Sequence, residues 1–301
     1  QRAREEALTA KAPGRARAYL ELTRPPNLVT AAADVLAGYA VAGLPAIARL
    51  PWLVGAGICL YAGGVALNDV CDAEADAVER PERPIPSGRI GRGAALRFAV
   101  ALLGAGCVLA TAAAPASGAL ALAIAAAASL YDAWGKHRPV LGPLTMGLCR
   151  GLNLLLGVSA APAALGERWP IAAIPILYIA GITAVSRGEV AGGDRRAAAV
   201  ALVLLGLAGG GLVALWRSPG ARAWAALPFL ALLAARVAPP FVRAYRTPNA
   251  TACRAAVKAG VLSLIAVDAT LAATFAGPIY GGGVLALALL SAPLARRFAV
   301  T

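Results

Sequence analysis

Apolar positions along the chain gather into long uninterrupted runs, at roughly 28–48, 52–70, 94–113, 116–134, 141–160, 169–187, 197–216, 222–242, 255–275 and 281–298. A run of about 18 to 22 residues is long enough to cross a hydrocarbon core of ~30 Å as a helix. Barrel strands are shorter and alternate polar with apolar positions, whereas these runs are continuously apolar. Helices and closed barrels are the two structures that satisfy their backbone in lipid. The pattern therefore predicts an all-α, polytopic transmembrane bundle of nine to ten helices. Alanine and glycine dominate the runs, and small residues let helices approach closely where no hydrophobic force drives them together.

Composition agrees: 59% of residues are hydrophobic and 14% charged. Residues 1–27 are mixed in charge and do not read as a cleavable signal peptide, so they are expected to form a lead-in helix, with residues 28–301 as a single membrane domain. Cys59, Cys71, Cys107, Cys149 and Cys253 are scattered without a C-x-x-C pair, which points to neither a disulfide framework nor a zinc site. The net charge of +13 needs no nucleic acid. With the N-terminus in the cytoplasm, 22 of the 28 Lys and Arg residues fall on the cytoplasmic side and four (Arg49, Arg168, Arg217, Arg222) on the other. Anionic lipid headgroups account for the rest of the basic bias.

Two polar stretches interrupt this scheme, both on the predicted cytoplasmic side. The first, NDVCDAEADAVERPERPIPSG at 68–88, follows an apolar run directly. On a helix continuing past residue 67, Asn68, Asp72 and Asp76 are spaced by four, and Asp69, Asp72 and Asp76 by three and four. Either set shares one face, and like charges so placed repel unless something compensates. Pairing with Arg80, Arg83 and Arg89 in a solvated loop is one way. A Mg²⁺ ion is the other, because it takes oxygen ligands from one or two carboxylates and completes its shell with water and phosphate oxygens. The second stretch, SRGEVAGGDRR at 186–196, places Glu189 and Asp194 among Arg187, Arg195 and Arg196, with glycines that let backbone approach a ligand. Two such clusters are expected to face each other across the bundle and hold a diphosphate.

Within the spans, Arg150 falls ten residues into a run, where an uncompensated charge costs at least ~2.5 kcal/mol. It is expected to point into a cavity with Asn153 one turn on. Asp34 and Asp268 sit within apolar runs and either pair with a neighbouring helix or contact substrate. Tyr61, Tyr131 and Tyr178 either stack on a cation or pack in the core. His137, the one histidine, reads as a surface residue.

The run NDVCDAEAD, followed by RPERPIPSG, resembles the N-D-x-x-D-x-x-x-D and R-P-x-R-P-I-P-S-G motifs of the UbiA superfamily of intramembrane prenyltransferases. TRPPN (Thr23 to Asn27) resembles that family's opening motif, and Tyr131 with Lys136 its loop between helices four and five. SRGEV, GGDRR and RGLNLLLG look most like the EboC-type bacterial branch. The resemblance implies a bundle around a central cavity capped by two acidic loops, at 68–92 and 187–196. It also implies Mg²⁺, an isoprenyl diphosphate donor, release of pyrophosphate, an acceptor of unknown identity (an aromatic ring, a quinone precursor, a sugar or polyol, or a glycerol lipid) and contact with membrane lipids. A bacterial inner membrane with the active site on its cytoplasmic side is the implied location.

Carried over residue by residue, Asn68, Asp72 and Asp76 become first-site metal ligands, with Asp69 orienting a basic group. Glu189 and Asp194 become the second site. Here the chain departs from the family's D-x-x-x-D by placing Glu first and widening the spacing to five. Arg83, Lys136, Arg138, Arg187 and Arg195 are the candidate diphosphate partners. Asp69, Lys136 and Arg150 are the candidate catalytic groups, and Asn27, Tyr131 and Asn153 line the cavity. Two other readings stand beside transfer. One is a terpene cyclase that quenches the cation within the same molecule; the other is a transporter, whose ionisable groups belong near the bilayer midplane rather than at helix ends.

Overall fold

The computed structural model describes residues 14–186, 188 and 192–298; the side chains of residues 137 and 292 fall outside the described set. Every regular element among them is helical. A short α1 (Arg15–Thr23) leads into α2 (Pro25–Val41), then α3 (Leu50–Cys71) and its extension α4 (Ala73–Glu79). There follow α5 (Arg92–Ala113), α6 (Pro115–Ala133), α7 (Leu141–Val158), α8 (Pro162–Arg168), α9 (Ala173–Ser186) and α10 (Arg195–Ala214). The chain closes with α11 (Ala223–Arg246), α12 (Ala250–Leu262), α13 (Leu264–Ala276) and α14 (Pro278–Arg297). Nine helical stretches among the described residues are long and apolar enough to span a membrane, and the protein is an integral membrane protein.

Two apolar runs fold differently from their prediction. The run at 28–48 yields a helix of 17 residues, because Gly43 and Leu44 take positive φ angles of 85° and 55° and turn the chain ahead of Pro45. The run at 255–275 is divided at Ser263 into α12 and α13.

The helices sort radially. From Leu264 to Thr274 every residue of α13 is buried, and α2 and α7 are buried over most of their length. At the periphery α5, α10 and α14 turn Val108, Val203 and Leu289 outward, as a lipid-facing surface requires. Where α2 crosses α7 the backbones touch at Gly38 and Gly157. A Cβ on Gly38 would lie 2.0 Å from the carbonyl oxygen of Leu154, and one on Gly157 2.1 Å from that of Val35. Only glycine fits both positions, and this crossing fixes the central pair.

The two ends of the bundle differ in chemistry. At one end the Arg49 guanidinium donates to the Ala160 carbonyl at 2.8 Å. There too Arg168 lies 4.7 Å over the ring of Phe275, and the Arg222 amide donates to Thr274. The opposite end carries the acidic tip of α3, the Arg83 loop and the turn after α6, and it carries the site.

Candidate functional site

Helix α3 does not stop at its last apolar turn. The amide of Asp72 donates to the carbonyl of Asn68 at 2.9 Å and that of Asp76 to Asp72 at 2.8 Å, so the helical path continues into α4. Asn68, Asp72 and Asp76 therefore stack one turn apart on one face. All three line a hollow of about 510 Å³, with Arg24, Asn27, Arg80, Arg83, Tyr131 and Arg150 among its other walls. Of the two face assignments open in the sequence, the spacing of four and four is the one turned to the hollow. Asp69 points behind it, 5% exposed, and accepts from Arg24 at 2.9 Å and Arg83 at 3.4 Å.

Each carboxylate of this tip has a cation from a different segment. Arg83 donates to Asp76 at 2.7 Å, and Lys136, in the turn after α6, pairs with Asp72. Arg24 holds Asp69 from a left-handed backbone conformation, φ 48° and ψ 69°, between α1 and α2. A non-glycine residue there costs of order 1–2 kcal/mol. Pro25, next in the chain, disfavours the right-handed helical conformation at Arg24 and forces the break. The Arg83 loop is itself anchored: Arg89 donates to Glu21 of α1 at 2.5 Å and to the Glu82 carbonyl at 2.8 Å. Of the three arginines expected to neutralise the acids in a solvated loop, Arg83 does so, Arg89 serves α1, and Arg80 lines the hollow.

Behind the polar vestibule the site becomes apolar. An arm of about 140 Å³ shares Arg24, Tyr61, Asn68, Tyr131, Met146 and Arg150 with the vestibule and runs on between Gly57, Leu60, Gly64, Val65, Ile124 and Ala128. From Asn68 to Gly57 along α3 this is about 16 Å at 1.5 Å per residue. Arg150, 6% exposed, lies where the two spaces meet. It donates to Asp34 at 2.9 Å and to the Thr30 hydroxyl at 3.2 Å, with its guanidinium 6.0 Å from the centre of the Tyr61 ring. Asn153 donates to the other oxygen of Asp34 at 2.8 Å. Asp34 thus pairs with a neighbouring helix and clamps two residues of α7.

Other expected site residues lie elsewhere. Asp194 lines a neighbouring hollow of about 440 Å³ with Pro139, Gly192, Gly193 and Cys253, while its side chain caps α10 by accepting from the Arg196 amide at 3.0 Å. The structure therefore does not bring Asp194 into the hollow that holds Asp72. Glu189 and Arg187 lie outside the described residues. Arg138 and Arg195 are exposed and stack on Trp134 and Tyr245 at 5.1 Å and 4.6 Å. Tyr178 is a core residue whose hydroxyl donates to the Gly260 carbonyl at 2.9 Å. Arg24 and Asp132 were not singled out in the sequence. Asp132, 4% exposed on α6, lines the arm and accepts from the Asn68 amide nitrogen at 2.8 Å.

Oxygen donors on one face, a ring of cations and an apolar arm would suit a divalent metal with an anionic amphiphile. Among the described residues no three acidic, His or Cys side chains converge as a ready-made metal cage. Mg²⁺ does not require one, since one or two carboxylates suffice when water and phosphate complete the shell. Asn68, Asp72 and Asp76 fit that donor set.

Fold and site together define a membrane-embedded helical bundle with a charged vestibule at one end that runs on into an apolar arm. The sequence model of the UbiA prenyltransferase family matches residues 28–265, and the chain belongs to that family. A digeranylgeranylglyceryl phosphate synthase of Methanopyrus kandleri is 39% identical over 166 residues, 54% of this chain and 58% of that protein. The chain thus spans about three-fifths of that relative's length. The synthase of the same name from Methanoregula boonei is 32% identical over 216 residues, 71% of this chain and 77% of the relative. Among solved structures, a UbiA homologue from Aeropyrum pernix K1 superposes with a TM-score of 0.70 at 17% identity, covering 87% of this chain and 98% of that one. That likeness bears on the fold.

Proposed function

We propose that the protein is a Mg²⁺-dependent intramembrane prenyltransferase that moves a prenyl group from an isoprenyl diphosphate to an acceptor and releases pyrophosphate. The continuity of the charged vestibule with the apolar arm carries this reading, because a prenyl diphosphate is an anionic head on a hydrocarbon tail. Asn68, Asp72 and Asp76 would hold the metal that accompanies the head, and Arg83 and Lys136 would donate to the head itself. The tail enters between Gly57, Leu60, Gly64 and Ile124.

Bound there, Mg²⁺ would stabilise the charge that develops on the departing diphosphate. Arg83 and Lys136 do the same with donors already in place. The allylic carbon lies at the neck, which Tyr61 and Tyr131 line; aromatic rings tolerate positive charge nearby and the apolar walls exclude water. The C–O bond breaks with its electron pair leaving on the diphosphate. A lone pair of the acceptor then forms the new bond to carbon, and the acceptor loses its proton.

The relatives' name points to an acceptor built on glyceryl phosphate and to a geranylgeranyl donor, and both are part of this proposal. The relatives are archaeal synthases, so the finer placement near the EboC-type branch rests on SRGEV, GGDRR and RGLNLLLG alone. The cytoplasmic orientation of the site rests on the distribution of basic residues, which gathers the four exceptions at the far end of the bundle. The reading rests on the first acidic set. It does not require Asp194.

The test is direct. Purified protein is incubated with allylic diphosphates of graded length and Mg²⁺, with glyceryl phosphate acceptors, and pyrophosphate release is followed with and without EDTA. Release that depends on metal and acceptor and disappears in Asp72→Ala is the expected result. Release without an acceptor and a cyclised product would identify a cyclase instead. No release from any donor would remove the proposal.

A further inference from the structure

Asp132 belongs to none of the acidic stretches, yet it is buried and bonded to the first of them. It projects from the last turn of α6 toward α3 and accepts from Asn68 Nδ2 at 2.8 Å. Four residues on, Lys136 pairs with Asp72, which is four residues after Asn68. The two segments are thus joined by a two-rung ladder, 132 to 68 and 136 to 72, with matched spacing on both sides.

The upper rung has a chemical consequence. A carboxamide presents a donor on one prong and an acceptor on the other, and side-chain packing alone distinguishes them poorly. An ionised carboxylate only accepts, so Asp132 selects the orientation in which Asn68 Nδ2 faces it. The carbonyl oxygen of Asn68 then takes the opposite prong, free of Asp132. Asn68 lines both arm and vestibule, so its orientation decides what the vestibule meets.

We infer that Asp132 is a positioning residue that orients the Asn68 carboxamide so that its oxygen serves the metal and diphosphate in the vestibule. The inference rests on the Mg²⁺–diphosphate reading above. Asp132 itself touches neither group. Partners that orient a metal ligand from behind typically contribute about 10–100-fold to metal affinity, and the expected effect lies near the lower bound because Asn68 is one ligand among three.

The test measures binding rather than turnover. Mn²⁺ replaces Mg²⁺, and its affinity for the full-length protein in detergent is read by electron paramagnetic resonance in the presence of inorganic pyrophosphate. Asp132→Ala is expected to weaken Mn²⁺ binding about tenfold. Asp132→Asn, which can accept from Asn68 or donate to it, is expected to fall between the wild type and the alanine variant. In an Asn68→Ala background Asp132→Ala should cost nothing further, since the group it orients is gone. Thermal midpoints identify a variant that has not folded, in which case Asp132→Asn alone decides by an affinity below that of the wild type. Unchanged Mn²⁺ affinity in a folded Asp132→Ala protein would overturn the inference, as would an equal further loss on the Asn68→Ala background. Equal loss of kcat in both Asp132 variants with metal affinity intact would assign Asp132 to proton transfer instead, and overturns it too. A wild type that binds no Mn²⁺ with pyrophosphate fails the underlying reading, a separate result.

Discussion

Replacing Lys136 with Met tests whether the cations around the acidic tip stand in for a metal. Lys136 pairs with Asp72, the two side chains being 11% and 30% exposed. Two unit charges 4 Å apart attract by ~4 kcal/mol at an effective dielectric of 20, whereas a fully solvated pair is worth ~0–1 kcal/mol. Partial exposure of Asp72 sets the pair between these limits, at about 1–2 kcal/mol, or roughly tenfold in an equilibrium. A metal that binds Asp72 must displace Lys136, so Lys136→Met should raise Mn²⁺ affinity about tenfold when no diphosphate is present. With diphosphate present the sign reverses. The freed ammonium is then a donor to phosphate, and losing a charged hydrogen bond costs ~1.5–3 kcal/mol, about 10- to 150-fold in diphosphate affinity. Electron paramagnetic resonance of Mn²⁺ gives the first quantity, and calorimetry with a non-reacting thiolodiphosphate gives the second. A variant that weakens both, or leaves both unchanged, refutes the exchange of partners.

Three further outcomes follow from packing and burial. Gly157→Leu forces side-chain atoms into the Val35 carbonyl 2.1 Å from the new Cβ; overpacking of this kind costs ~1–3 kcal/mol, to be read as a lowered denaturation midpoint in detergent. At Gly64, which lines the arm, the Cβ of a leucine meets only Ala128, at 3.4 Å. Gly64→Leu should fold normally, occupy the arm and shift the turnover ratio of short to long donors several-fold toward the short ones. Asp34→Ala removes the carboxylate bonded directly to Arg150 and leaves Asp268 as the neighbouring acid; breaking a buried pair costs ~3–5 kcal/mol in soluble cores, and Asp268 sets the expected loss below that. A midpoint within error of the wild type would show that Arg150 has another counterion.

The parts of the site that follow from spacing were legible in the sequence. Asn68, Asp72 and Asp76 share a face because 3.6 residues complete a turn, and the structure turns that face to one hollow. The buried Arg150 was legible from the energy of a charge in an apolar span. What escaped depends on contacts between segments distant in the chain. Arg24 reaches Asp69 because the chain breaks before two prolines into a left-handed conformation, and TRPPN marks the break without disclosing where the guanidinium goes. Asp132 is one acid beside a helix end until α6 packs on α3. The run at 28–48 ends early because Gly43, Leu44 and Pro45 outweigh its apolar character. The division at Ser263 carries no proline to announce it, and the use of Asp194 as the cap of α10 is a local contact that spacing does not foretell.

The charge arrangement at the tip of α3 bears on the order of binding. Asp69, Asp72 and Asp76 each pair with a cation among Arg24, Arg83 and Lys136, so these six side chains together sum to zero charge. Neutrality is what lets Asp69 and Asp76 sit buried at the end of a membrane bundle, since an unpaired buried charge is expensive. A divalent ion entering alone must compete with the ion pairs that Arg83 and Lys136 make with Asp76 and Asp72. A diphosphate entering alone brings negative charge toward Asp72 and Asp76. Arriving together, the metal takes the carboxylates while the diphosphate takes the released cations, and each component replaces what the other removes. The same residues therefore disfavour either component by itself and favour the pair, so metal and diphosphate should each tighten the other's binding by the same factor, as linkage requires.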